Sequence, residues 1–338
     1  MELKEAIQIV KQRYQTDTER INDEKTVIDK YGSLFNPKNL DNLTAEDFKS
    51  FLLIKNNKHW EGIHRQGNMI TSDMEKLKST LKLLLDESNP IKERIDKIMP
   101  KNRPPLIKGL GRAVLTPILL VVCPHKYAVF NSVVEAGMKG FEIFSNFRNE
   151  SFTEKYVKIN EIVNNLAREN GLTLWQMDEV WWQGTTGSLP LQRKTKTEDI
   201  EEEGLPTEVE SQLEEFLINN WEKIPEFNDL EILQEDGEYI GQQYDTKEVG
   251  RIDLLCKNKK TENFVIIELK KGRESDKVVG QTLRYIGWVK KNLANDGEKV
   301  YGIIITFEGD PDSRLKYALE PIKEFIQLKF YKISITIS

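Results

Sequence analysis

The hydrophobic pattern changes period along the chain. In the first half apolar residues recur at helical spacing. Ala6, Ile9, Val10 and Tyr14 form one such stripe, and Met74–Leu85 carries another. Thr44 stands three residues before Asp47, an imperfect capping box opening a helix. Further helices are expected over Thr116–Val122, Val133–Phe144, Phe152–Asn170 and Leu174–Trp182, with Trp60, Trp175, Trp181 and Trp182 in the core. Beyond Pro206 the period shortens. After a helix opened by acids over Thr207–Leu217, two short apolar runs, Ile252–Leu255 and Val265–Leu269, flank a polar stretch and read as a strand hairpin. A helix over Val278–Asn292, a buried strand over Tyr301–Thr306, a helix over Ser313–Phe325 and a last strand over Lys329–Ile337 complete the pattern. The residues between, from Gly184 to Pro206, are small, polar and charged, with Glu201-Glu202-Glu203 among them. The expectation is a mainly α-helical domain over 1–183, a linker over 184–206, and an α/β domain over 207–338 with a mixed central sheet flanked by helices.

Side chains alternate faces along a strand, so Asp253, Glu268 and Lys270 share one side of this hairpin while Ile252, Leu254 and Leu269 take the other. A surface hairpin commonly carries charges, but Val265-Ile266-Ile267 is apolar on both faces and marks a central strand. Charges at the end of such a strand are costly unless paired or metal-bound. Two carboxylates are hard-oxygen ligands suited to Mg²⁺ or Mn²⁺, and an ammonium beside them suits a water and a phosphate. That combination is equipped for metal-assisted phosphodiester hydrolysis.

Three phrases in order, Gly250-Arg251-Ile252-Asp253-Leu254-Leu255, Ile267-Glu268-Leu269-Lys270 and Gln281-Thr282-Leu283-Arg284-Tyr285, resemble the core of the PD-(D/E)xK nucleases, in the version carried by NucS endonucleases and RecB-like nucleases. The resemblance runs from about Glu208 to Thr306. It implies a restriction-endonuclease-like α/β fold and a Mg²⁺- or Mn²⁺-dependent DNA endonuclease. Asp253, Glu268 and the Leu269 carbonyl are then the metal-holding groups, and Lys270 positions the attacking water. Glu210, matched by a Glu-x-x-Leu pattern with Leu213, supports a second metal or outer contact, with Glu214 its rival one turn on. Gln281 orients a carboxylate, Lys270 or the phosphate, and Tyr285 braces it. One departure is a longer stretch before Asp253, in which Ile224–Glu235 is expected as an insertion. Similar domains occur in restriction, anti-phage defence and mismatch repair. A binding module without turnover, an RNase, and a nuclease acting only with a partner ATPase remain alternatives; the chain has no Gly-x-x-x-x-Gly-Lys-Ser/Thr element of its own.

A net charge of −6 argues against binding DNA by bulk charge, so contacts must come from local basic clusters. In the nuclease half these are Lys271 and Arg273 in a polar loop, and Arg284 on the helix face away from Tyr285. In the helical half, Lys108-Gly109-Leu110-Gly111-Arg112 resembles the hairpin of a helix-hairpin-helix element, whose next helix offers backbone N–H groups to a phosphate. A plain helix-ending glycine explains the same residues, and Thr116-Pro117 is expected to kink or restart the helix that follows. Phrases around Pro124–Asn131 and Leu174–Trp182 loosely resemble helical domains of restriction-type and McrB-like proteins. His125 reads as a surface or structural residue. Cys123 and Cys256 sit in apolar contexts and read as buried thiols of a cytoplasmic protein, and no apolar run reaches membrane-spanning length. The expected partner is DNA; a homodimer and a partner protein stay open.

Overall fold

The computed structural model describes residues 1–101, 103–143, 150–186, 208–270, 276–308 and 313–332. The chain divides into two compact units. One comprises Met1–Lys196 with Asp236–Glu238; the other comprises Thr197–Glu235 with Tyr239–Ser338. Of the expected linker, residues 187–206 lie outside the described residues, while Gly184 sits in a helix that runs on to Thr186.

The first unit is helical: α1 (Leu3–Thr16), α2 (Thr18–Leu34), α3 (Ala45–Leu52), α4 (Ile54–Asn57), α5 (Gly67–Ile70), α6 (Met74–Leu84), α7 (Ile91–Ile98), α8 (Arg112–Val122), α9 (Ser132–Gly140), α10 (Phe152–Asn170) and α11 (Leu174–Thr186). Side chains set the boundaries. Thr44 and Asp47 form a complete capping box at α3, and Ser151 with Glu154 does the same for α10, which ends on Gly171 in the left-handed region. On α1 the buried stripe is Ala6, Ile7 and Val10, so Ile7 takes the place expected for Ile9. Tyr31, Phe35, Phe48, Phe51 and Trp60 make the aromatic centre, with Phe35 and Phe51 edge to face at 5.0 Å. Trp60 gives its indole N–H to Asp178 at 2.9 Å.

Two expectations fail in this unit. Pro117 does not restart a helix: α8 runs from Arg112 to Val122 through it. The adjacent Thr116 hydroxyl bonds the Arg112 carbonyl at 2.7 Å and accepts from Phe130 N–H at 3.0 Å, stitching that turn together. Arg112, expected on DNA, is fully buried. Its guanidinium meets Glu135 and Glu238 at 2.8 Å each and Asp236 at 3.3 Å. Gly111 is buried too, and a Cβ there would fall 2.2 Å from the Gly237 carbonyl. A guanidinium enclosed by three carboxylates is a structural anchor and is not presented to a phosphate.

The second unit is a mixed sheet with helices. Its elements are α12 (Glu208–Asn219), β1 (Leu230–Ile232), β2 (Gln242–Asp245), β3 (Arg251–Asn258), β4 (Phe264–Leu269), α13 (Lys277–Asn292), β5 (Val300–Phe307), α14 (Ser313–Leu319) and β6 (Ile326–Tyr331). The expected hairpin is β3 and β4, antiparallel with Leu254 opposite Ile267. β4 is buried throughout and pairs in parallel with β5, which pairs in parallel with β6. The far edge of β3 is shared by β1 and β2, both antiparallel to it. Those strands fill the long stretch before Asp253: β1 lies within the region expected as an insertion and extends the sheet. The last helix stops at Leu319, and β6 begins three residues before its expected start. No helix among the described residues is long and apolar enough to cross a membrane.

Replacing Arg112 with Met leaves three acids without their common cation. The full chain should lose about 3–5 kcal/mol of stability in urea unfolding; an unchanged midpoint would contradict the anchor role.

Candidate active site

Continuing the β3–β4 register by one pair sets Asp253 opposite Glu268 at the end of the hairpin. Asp253 Oδ2 accepts from the Leu269 N–H at 2.8 Å. Glu268 is 1% exposed, and its Oε1 has no hydrogen-bond partner among the described residues. Its Oε2 lies 3.6 Å from the Lys270 ammonium, an ion pair longer than a hydrogen bond. The three residues singled out in the sequence therefore meet.

The pair is electrostatically loaded. Burial pushes the Glu268 carboxyl well above the usual range, and the Asp253 charge opposite pushes it further, against the pull of Lys270. Asp253 is raised as well, first by burial and also by the charge of Glu210; the Leu269 N–H, Lys270 and Gln243 oppose the rise. Glu210 on α12 is half-buried and acts on Asp253 through that field. Its rival Glu214 is 5% exposed and is bonded elsewhere.

On α13, Gln281 donates to the Tyr285 hydroxyl at 3.1 Å, and that hydroxyl donates to the Arg251 carbonyl at 3.0 Å. Tyr285 thus braces β3 two residues before Asp253, and Gln281 holds Tyr285. Gly250 makes room for this: φ is +109°, and a Cβ would lie 2.9 Å from the tyrosine oxygen. Arg284 is exposed. Lys271 and Arg273 lie outside the described residues.

Sequence reasoning missed Gln242 and Gln243. Both donate from their side-chain amides to Glu214, Gln242 at 2.7 Å, and Gln243 also donates to Asp253 Oδ1 at 3.1 Å. Only the Gln-Gln pair before the Gly-Arg-Ile-Asp phrase could have hinted at them, and polar residues on a short strand are unremarkable.

In the helical unit, Lys108 is exposed beside Gly109, whose φ is +84°. A cavity of about 540 Å³ near Trp175 is large enough for a small molecule. Its two arginines, Arg13 and Arg20, are both paired with Glu179, at 3.0 and 2.9 Å, and Lys55 and Lys58 line it as well. His125 is exposed, and Cys123 and Cys256 are free thiols.

Two facing acids, one buried oxygen without a partner and a neighbouring ammonium fit a hard divalent cation. Among the described residues no group of three or more His, Cys, Asp or Glu is placed to hold one. A cation held at this pair would therefore take most of its ligands from elsewhere, such as water oxygens.

Residues 199–338 match a family model described as the YhcG PDDEXK nuclease domain. The mixed sheet and the Asp253–Glu268–Lys270 cluster both fall within the matched span and agree with that match. Two solved structures are also similar to part of the chain. One is of an EndoMS–dsDNA2 complex, 24% identical with a TM-score of 0.30, covering 42% of this chain and 51% of that one. The other is a repair endonuclease from Pyrococcus abyssi, 22% identical with a TM-score of 0.28, covering 40% of this chain and 50% of that one. The chain thus spans about half the length of each. No curated protein matches it.

Because the folded chain raises the Glu268 pKa, its stability in EDTA should fall as pH rises from the ordinary glutamate range through the raised value. Glu268→Gln should remove that part of the fall and stabilise the chain at alkaline pH by on the order of 1 kcal/mol. Thermal melts of both proteins across pH check this; parallel curves would contradict it.

Proposed function

We propose that this chain is a divalent-metal-dependent DNA endonuclease acting in the cytoplasm, in restriction, other anti-phage defence or mismatch repair. The observation that carries the reading is the buried Asp253–Glu268 pair, with its unpartnered Glu268 oxygen and Lys270 beside it, in a PD-(D/E)xK nuclease domain. Asp253, Glu268 and the Leu269 carbonyl would hold Mg²⁺ or Mn²⁺. The ion, when bound, neutralises the facing carboxylates and polarises the phosphate.

The chain's own groups do the rest. Lys270 Nζ orients a water and stabilises negative charge on the phosphate. As the water oxygen bonds to phosphorus, the bond to one sugar oxygen breaks and a proton finishes on that oxygen. Glu210 adds negative field at the Asp253 side and serves an outer contact. Tyr285 and Gln281 keep β3 in place, so Asp253 does not shift as charge redistributes. Arg284, Lys271, Arg273 and Lys108 beside the Gly109 turn are the proposed phosphate contacts; Arg112 is not among them.

Purified full-length protein should cut DNA with Mg²⁺ or Mn²⁺ and stop in excess EDTA. Asp253→Ala and Lys270→Ala should each slow cutting by on the order of 100-fold or more. Cutting that persists in EDTA or in either variant would overturn the site. RNA cut in preference to DNA would move the substrate class, and binding without cutting would leave a DNA-binding module.

A further inference from the structure

Gln243 combines two unusual features. It is a non-glycine residue with φ of +50°, in the left-handed region that side chains avoid. It also lies within β2, where neighbours normally point to opposite faces. Here the backbone turns so that Gln242 and Gln243 both reach the buried Glu214, Gln242 on Oε1 and Gln243 on Oε2. The same Gln243 nitrogen donates to Asp253 Oδ1 at 3.1 Å. Backbone conformations of this kind persist where the surroundings over-determine them, and they cluster at functional sites.

From this geometry we infer that Gln243 is a positioning residue for Asp253, held in place by Glu214. The inference rests on the reading of Asp253 as a metal-holding acid. A nitrogen between two carboxylates must be the amide NH₂, because the amide oxygen would repel both. Glu214 therefore fixes which way the amide points. The Leu269 N–H occupies one Asp253 oxygen and Gln243 the other. The carboxylate plane is pinned from both ends, while each oxygen keeps further lone-pair capacity for a cation. This explains why a glutamine stands at a strained position. A glutamate would add a third negative charge, and an apolar side chain would leave Glu214 and Asp253 each short of a donor.

Outer partners that orient a ligand typically cost about 10- to 100-fold in metal affinity when removed. The test is Mn²⁺ binding by calorimetry on the full chain, alongside thermal melting in EDTA. Gln243→Met removes the donor, and Gln243→Gly removes it while suiting the positive φ, which guards against a folding defect. Gln242→Met is the comparator, because it takes a donor from Glu214 and not from Asp253. Both Gln243 variants should bind Mn²⁺ about 10- to 100-fold more weakly and still melt cooperatively, and Gln242→Met should lose at most a few-fold. Unweakened binding in the Gln243 variants would overturn the inference, as would equal weakening in Gln242→Met, which would make the effect one of seating Glu214. If the unaltered chain binds Mn²⁺ and cuts DNA while the Gln243 variants match it, this inference alone falls. If the unaltered chain binds no Mn²⁺, the active-site reading falls with it.

Discussion

Two acids held face to face in a protein interior are the constraint around which the second unit is built. Asp253 and Glu268 would each be easier to bury as neutral groups, and each makes the other harder to ionise. A fold that places them together must fix them by other means. It does so with the β3–β4 ladder, the Leu269 N–H on Asp253, Lys270 beside Glu268, and the fully buried β4 strand underneath. The unpartnered Glu268 oxygen is what remains after these contacts are made. On the proposed reading, a cation arriving there would relieve the repulsion between the two acids.

The support around the pair is layered by distance. Tyr285 holds the β3 backbone through the Arg251 carbonyl, and Gln281 holds Tyr285. Gln243 holds the Asp253 side chain, and Glu214 holds Gln243. One set of contacts fixes the strand and the other fixes the carboxylate. Sub-ångström placement of reacting groups depends on such packing and bonding behind the groups themselves.

The strands that carry chemistry were legible because local pattern and chemistry coincide there. Asp253, Glu268 and Lys270 interrupt apolar runs at strand ends, and alternation alone puts them on one face. The motif phrases then gave Gln281 and Tyr285 their neighbourhood. What escaped depends on contacts distant in sequence. Gln243 gains its meaning from Glu214, 29 residues earlier, and from a positive φ that no residue-type rule assigns to glutamine. Arg112 looked like a phosphate contact because a charge beside glycines usually faces solvent, yet it is buried against Glu135, Asp236 and Glu238, the last 126 residues away. β1 and β2 were missed because strands of three and four residues carry too little alternation to register.

The central claim is that the Asp253–Glu268 pair is a metal seat. Its most direct test is a crystal of the full chain grown with Mn²⁺ and measured at the manganese absorption edge. The account predicts an anomalous peak about 2.0–2.3 Å from carboxylate oxygens of both Asp253 and Glu268, with the Leu269 carbonyl as a third protein ligand. A well-ordered site with no peak there, or manganese bound only elsewhere in the chain, would contradict it.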